Sequence, residues 1–108
     1  MEETNRIKML KEYLEDDPED VFSNYALALE YLKISEEERA VEILENILKK
    51  DEHYLAAYYQ LGKLYEKISR MDDAKKAYQK GFQIANQQKN QRTANELRSA
   101  FESMSEDE

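Results

Sequence analysis

The chain of 108 residues has no cysteine, a single proline, two glycines and a single histidine. Without cysteine there can be no disulfide, no thiol chemistry and no cysteine-ligated zinc, and a reducing compartment is the simplest setting. One proline and two glycines leave few sites for the tight turns of a many-stranded β fold. No apolar run approaches the roughly 18 residues of a membrane span. The opening Met1-Glu2-Glu3-Thr4-Asn5-Arg6 has neither the basic nor the apolar region of a signal peptide. These absences give the expectation of a soluble, cytoplasmic protein with no membrane partner.

Chemistry-bearing motifs are scarce as well. There is no P-loop, dinucleotide fingerprint or EF-hand loop, so no cofactor or metal site is expected. His53 falls at an expected helix junction, and a lone imidazole without a nucleophile or metal partner performs little chemistry. The acid pairs Asp16/Asp17 and Asp72/Asp73 read as helix-start charges rather than metal ligands. No catalytic residue is assigned, and the expectation is a protein that is not an enzyme.

What is present favours helices: 41% hydrophobic residues with plentiful Ala, Leu, Glu and Lys, in a chain of single-domain size. The net charge of −8 argues against a nucleic-acid partner, because phosphate contacts need a basic face. The charge is uneven. Residues 1–20 carry a net −5, 21–50 a net −2, 51–88 a net +1 and 89–108 a net −2.

The organising feature is a repeat. Residues 21–54 lie over 55–88 without a gap. Seven positions are then identical: Tyr25/Tyr59, Leu27/Leu61, Tyr31/Tyr65, Lys33/Lys67, Ile34/Ile68, Ser35/Ser69 and Ala40/Ala74. A period of this size marks stacked helical repeats. Tyr58-x-x-Leu61-Gly62-x-x-Tyr65 followed by Ala74-x-x-x-Tyr78 resembles the tetratricopeptide repeat (TPR) pattern. Asn24-x-x-Leu27-Ala28-x-x-Tyr31 followed by Ala40-x-x-x-Leu44 is a second copy. The closing proline of the pattern is replaced by Glu52 and Asn86. Pro18 stands one full period before Glu52, at the same place in the pattern, and ends a leading half-repeat. The resemblance covers residues 6–88.

The resemblance implies an all-α, right-handed stack of antiparallel helix pairs. Its parts are a leading half-repeat helix at 3–17, repeats at 21–54 and 55–88, a capping helix at 91–104 and an acidic tail at 105–108. Periodicity supports each helix. Ile7, Met9, Leu10, Tyr13 and Leu14 mark the first, and Ala94, Leu97, Ala100, Phe101 and Met104 mark the last. Asp17-Pro18-Glu19-Asp20 is expected to open the helix at 20–34. Ser35 with Glu38 has the form of a capping box, Ser69 to Asp72 repeats that turn, and Asp51 is expected to cap a helix at 52–68. Ala28 and Gly62 are expected to face Ala40 and Ala74, so that each pair closes tightly.

In proteins that this chain resembles, the first helix of each pair lines a groove for an extended peptide or a partner helix. By position that groove takes Phe22, Tyr25, Ala26, Leu29, Leu32 and Lys33 from the first repeat. The second supplies Ala56, Tyr59, Gln60, Lys63, Glu66 and Lys67. Tyrosine is a frequent interface anchor, and Lys63 and Lys67 suit a carboxylate. Members that hold chaperone tails use a lysine-asparagine clamp on these helices. Here Tyr25 and Leu29 stand at the matching first-repeat positions and cannot grip a carboxylate that way, so that subtype is not expected. The reading is a protein-protein interaction adaptor for a protein or peptide partner, with a self-associating homodimer scaffold as the rival.

Overall fold

The computed structural model describes residues 3–106. Among them are six helices and no strand: α1 (Asn5–Asp16), α2 (Val21–Lys33), α3 (Glu37–Lys50), α4 (Leu55–Lys67), α5 (Met71–Gln87) and α6 (Gln91–Glu106). The fold class is the expected one, all-α and built from helical repeats. The chain falls into two compact units, one up to Asp51 and one from Glu52. In the first, α2 packs against both α1 and α3; in the second, α5 packs against both α4 and α6.

In the first unit, Ile7, Ala28, Ala40 and Leu44 have no exposed surface. Fully burying a side chain such as Ile7 contributes about 1.5–3 kcal/mol, which is what fastens α1 to the rest. Met9 and Tyr13, expected on that same face, instead point to solvent. The helix start after Pro18 also differs in detail from expectation. Pro18 lies in the turn rather than the first helical turn, and Asp20 is the cap, accepting from the Ser23 backbone N–H at 3.1 Å. The Asn24 side-chain amide closes the turn by donating to the Pro18 and Asp20 carbonyls, both at 3.0 Å. Asp16 and Asp17 end α1 rather than start a helix, whereas Asp72 and Asp73 do sit in the first turn of α5.

The turns at Ser35 and Ser69 are not capping boxes. Both serines have left-handed backbone, at φ 62° and 65°, and Lys89 has it at 59°. At each, two hydrogen bonds close the preceding helix. Glu36 N–H donates to the Tyr31 carbonyl and Ser35 N–H to Leu32; Arg70 donates to Tyr65 and Ser69 to Glu66; Asn90 donates to Ala85 and Lys89 to Asn86. This double bond is the Schellman arrangement, in which the left-handed residue is usually glycine. The serines therefore end α2 and α4; they do not begin α3 and α5. Those helices start at Glu36 and Arg70 without a side-chain cap, and acids in the first turn complement their positive ends instead. Asp51 likewise ends α3, and α4 starts later than expected, after Tyr54.

In the second unit, the three atoms that would lie nearest a Cβ on Gly62 all belong to the Tyr78 ring. A Cβ on Gly62 would lie 2.1 Å from the Tyr78 ring, and one on Gly81 would lie 2.7 Å from the Tyr58 Cβ and 3.0 Å from Leu97. Thus α4 and α5 interlock at Gly62, while α4, α5 and α6 converge at Gly81. The repeats differ in a compensating way. Where the second has glycine and tyrosine, the first has Ala28 and Leu44, a larger residue facing a smaller one. Of the acidic tail expected at 105–108, residues 105 and 106 belong to α6, and 107 and 108 lie outside the described residues.

Two stability predictions follow from these contacts. Gly62→Ala should destabilise by about 1–3 kcal/mol through overpacking. In a Tyr78→Leu background the same change should cost nothing, a coupling of at least about 1 kcal/mol in a double-mutant cycle read by urea denaturation. Ser35→Gly and Ser69→Gly should each raise stability by about 0.5–1 kcal/mol, since glycine occupies the left-handed region without strain. Unchanged or lower urea midpoints would contradict the turn geometry.

Candidate functional site

The first-repeat positions expected to line a groove form a largely apolar face on α2. Phe22 is 75% exposed. Tyr25, Ala26, Leu29 and Leu32 are half-buried, and Lys33 is exposed. Lys33 is engaged within the unit, its Nζ lying 2.9 Å from the Glu30 carboxylate. Glu30 itself is nearly buried and takes a second cation, Arg6 of α1, at 3.3 Å. Leu29 and Leu32 present hydrocarbon where the second repeat has Lys63 and Glu66.

The same face of α4 is polar and its side chains interact. Lys63 Nζ lies over the Tyr59 ring, 5.7 Å from its centroid, a cation–π geometry that holds the ammonium at the surface. Glu66 turns inward: Tyr78, whose side chain is buried, donates its hydroxyl to Glu66 Oε2 at 2.5 Å. Burial, and then the Glu66 acceptor, push the Tyr78 hydroxyl far above its ordinary value of 10. Gln60 is half-buried, while Ala56 and Lys67 are exposed.

Tyr59 and Lys63 also line an open cleft of about 410 Å³. Its other wall is α6, through Asn95, Glu96, Ser99, Ala100 and Ser103. Ala100 is buried and the four polar residues are exposed, so the floor is apolar and the rim hydrogen-bonding. The side chain of Glu96 pairs with Arg92 one turn earlier, at 3.5 Å. The polar side of α6 was legible in the sequence as a solvent face. Its position beside Tyr59 was not, because the apolar register of this helix departs from the repeat spacing that orders the others.

A second cluster gathers on Glu3. Its carboxylate accepts from Lys11 Nζ at 3.2 Å, the Tyr31 hydroxyl at 3.0 Å and Arg39 at 3.1 Å. Lys11 first, and then Tyr31, hold the Glu3 carboxyl below its ordinary value of 4.5. Arg39 in turn lies 5.4 Å from the centroid of the Tyr31 ring. This cluster joins the segment before α1 to α1, α2 and α3. Its geometry ties these elements of the first unit together. His53 is exposed in the turn before α4, and its carbonyl accepts from the Gln88 side chain at 3.0 Å. Among the described residues, no helix is long and apolar enough to cross a membrane.

A tetratricopeptide repeat family model matches residues 1–104. The chain belongs to the tetratricopeptide repeat family. A TPR domain protein from Salinibacter ruber, solved by NMR, is 41% identical to it, with a TM-score of 0.77 over 81% of this chain and 88% of that one. The TPR2B-domain complex with pHsp70 from yeast Sti1 superposes with a TM-score of 0.85 at 17% identity, covering 94% of this chain and 82% of that one. The first TPR of Spaghetti (RPAP3), bound to an HSP90 peptide, gives 0.72 at 19% identity over 92% and 79%. At such low identity the last two share the fold alone. No curated protein matches the chain. The TPR is a protein-interaction fold, and α2 and α4 open the two sequence segments, 21–54 and 55–88, that lie over one another.

The Tyr78 site makes a pH prediction. In the folded chain the hydroxyl stays protonated well above 10, whereas in the unfolded chain it ionises near 10. Its contribution is therefore complete below pH 10 and is lost as the pH rises further, by up to about 1.4 kcal/mol per pH unit. Tyr78→Phe should be less stable than wild type by about 1 kcal/mol at pH 7 and should lose stability more gently above pH 10. Urea melts of both proteins between about pH 9 and pH 11 read this difference in slope. Parallel curves would remove Tyr78 from the account.

Proposed function

We propose that this chain is a protein-interaction adaptor whose TPR first helices hold an extended peptide or a partner helix. The binding residues are Phe22, Tyr25, Leu29, Leu32 and Lys33 on α2, and Tyr59, Gln60, Lys63 and Lys67 on α4. The observation that carries the reading is the Tyr59 ring with Lys63 across it at the mouth of the cleft shared with α6. A rigid aromatic ring beside an exposed cation offers apolar area and a charge together, at the low entropy cost of a side chain already held in place. The exposed Phe22 and the half-buried Leu29 and Leu32 offer hydrocarbon on α2. The matching ligand therefore carries apolar side chains and an acidic group.

Two of the similar structures are complexes, one with pHsp70 and one with an HSP90 peptide, and they support a peptide-type ligand for this fold. The chaperone-tail subtype remains disfavoured. Tyr25 and Leu29 supply no cation or amide donor where a carboxylate clamp needs them, and Lys33 is already paired with Glu30. An internal acidic-apolar segment suits these residues better than a free carboxyl terminus.

The test is affinity capture from native lysate with wild type and with Tyr25→Ala/Tyr59→Ala, read by mass spectrometry. A partner retained by the wild type should be lost with the variant, whose helical spectrum should be preserved. Binding of that partner should weaken as salt rises, because the cation of Lys63 is exposed. Identical captures by the two proteins would refute the groove.

A further inference from the structure

The helix that begins the described chain carries a second surface, distinct from the groove. Met9 is 68% exposed and Tyr13 53% exposed, although Ile7 on the same helix is completely buried. Arg6, with its side chain 66% exposed, and Asp16, also exposed, extend the line at either end. Arg6, Met9, Tyr13 and Asp16 follow one another at the alternating three-and-four spacing of a helix-pairing seam. At 3.6 residues per turn these four side chains fall within about 80° of arc, on a flank of the helix turned away from Ile7. They make one straight stripe: a cation, two large apolar groups and an anion.

Such a stripe is its own complement. Turned end for end, a second copy sets Met9 against Tyr13 twice, and sets each Arg6 against an Asp16. A parallel copy would instead stack like charges on each other. We propose that the outer face of α1 is a homodimer seam, in which two copies pair antiparallel about a two-fold axis with Arg6 meeting Asp16 and Met9 meeting Tyr13. The self-complementary order of charge names the occupant, since a two-fold contact needs one patch that fits itself.

Arg6 also argues against the other natural occupant, a preceding first helix packed as α4 packs on α5. Its counterparts at the same place in the two repeats are Ala40 and Ala74, both fully buried. A guanidinium at that position blocks the close approach that those methyl groups permit. The Nε of Arg6 lies 3.3 Å from Glu30, which holds the side chain at the edge of the stripe. A stripe of four side chains is a small contact beside the roughly 1,200 Å² of a standard complex, so the dimer is weak and is sought at roughly tens to hundreds of micromolar. It does not depend on the peptide reading, because no groove residue takes part.

Sedimentation equilibrium across that concentration range should show a reversible monomer–dimer step. Arg6→Asp and Asp16→Arg should each weaken it about tenfold or more, and the two together in one chain should restore it, because the exchanged stripe is again self-complementary. Asp16→Arg separates association from folding. A cation in the last turn favours the helix, so the melting temperature should hold or rise while the dimer is lost. The register is read independently by mixing Met9→Cys with Tyr13→Cys, which are unique thiols in this cysteine-free chain. The mixed disulfide should dominate over either homodisulfide. A chain that stays monomeric throughout, a dimer indifferent to both reversals, or dominant homodisulfides would overturn the proposal.

Discussion

The contact between the Tyr78 ring and the bare backbone at Gly62 is the constraint on which the second unit depends. Two helices can run close only where one of them gives up a side chain, and α4 does so at Gly62. The space so opened admits a whole aromatic ring, whose hydroxyl then needs a partner away from water. Glu66, one turn along α4, supplies it. At Gly81 the exchange runs the other way, with α5 giving up a side chain to Tyr58 and Leu97 so that α6 can lie against the pair. Packing and hydrogen bonding are thus one problem with a shared answer. The first repeat has no polar group at the corresponding positions, where Ala28, Leu32 and Leu44 stand.

That difference reaches the candidate binding surface. Residues one period apart occupy equivalent places on α2 and α4, yet one set reads Ala26, Leu29 and Leu32 and the other Gln60, Lys63 and Glu66. Glu66 serves the core, so its charge is spent on Tyr78. Lys63, resting on Tyr59, is then the group that gives the α4 face its character. A repeated scaffold has in this way received two unlike surfaces, one hydrocarbon and one aromatic-cationic, without any change in helix length.

Much of the helix layout was legible in the sequence, because the long repeat period and the short helical periodicity reinforce one another. The bounds of α2 were read to within one residue, and those of α1 and α6 to within two. Turn chemistry was harder to read. Ser35 is followed by Glu38 and Ser69 by Asp72, a spacing that suits a helix start; the backbone uses both serines to close the helix before. Their recurrence at the same place in each repeat marks a turn but does not say which of the two flanking helices the serine serves. Met9 and Tyr13 show a related limit. Apolar residues on a short helix can satisfy one periodic pattern loosely and still divide between two faces. The cleft wall on α6 had no signal at all, since a polar helix face looks the same beside a cleft as beside bulk water. Gly81 could have been found, for it pairs with Ile47 in the repeat alignment, and such a loss of bulk implies an intruding neighbour.

Both glycines of the chain stand inside helices, while three left-handed turns are made by Ser35, Ser69 and Lys89. Each glycine lowers the intrinsic preference of its helix by about 1 kcal/mol relative to alanine. At 13 residues, α4 is also of marginal length for a helix that must hold together in water on its own. Neither should persist until the other is in place, because the feature that weakens each alone is the one that lets them dock. Backbone ordering and side-chain interlocking in this hairpin are therefore linked, each favouring the other.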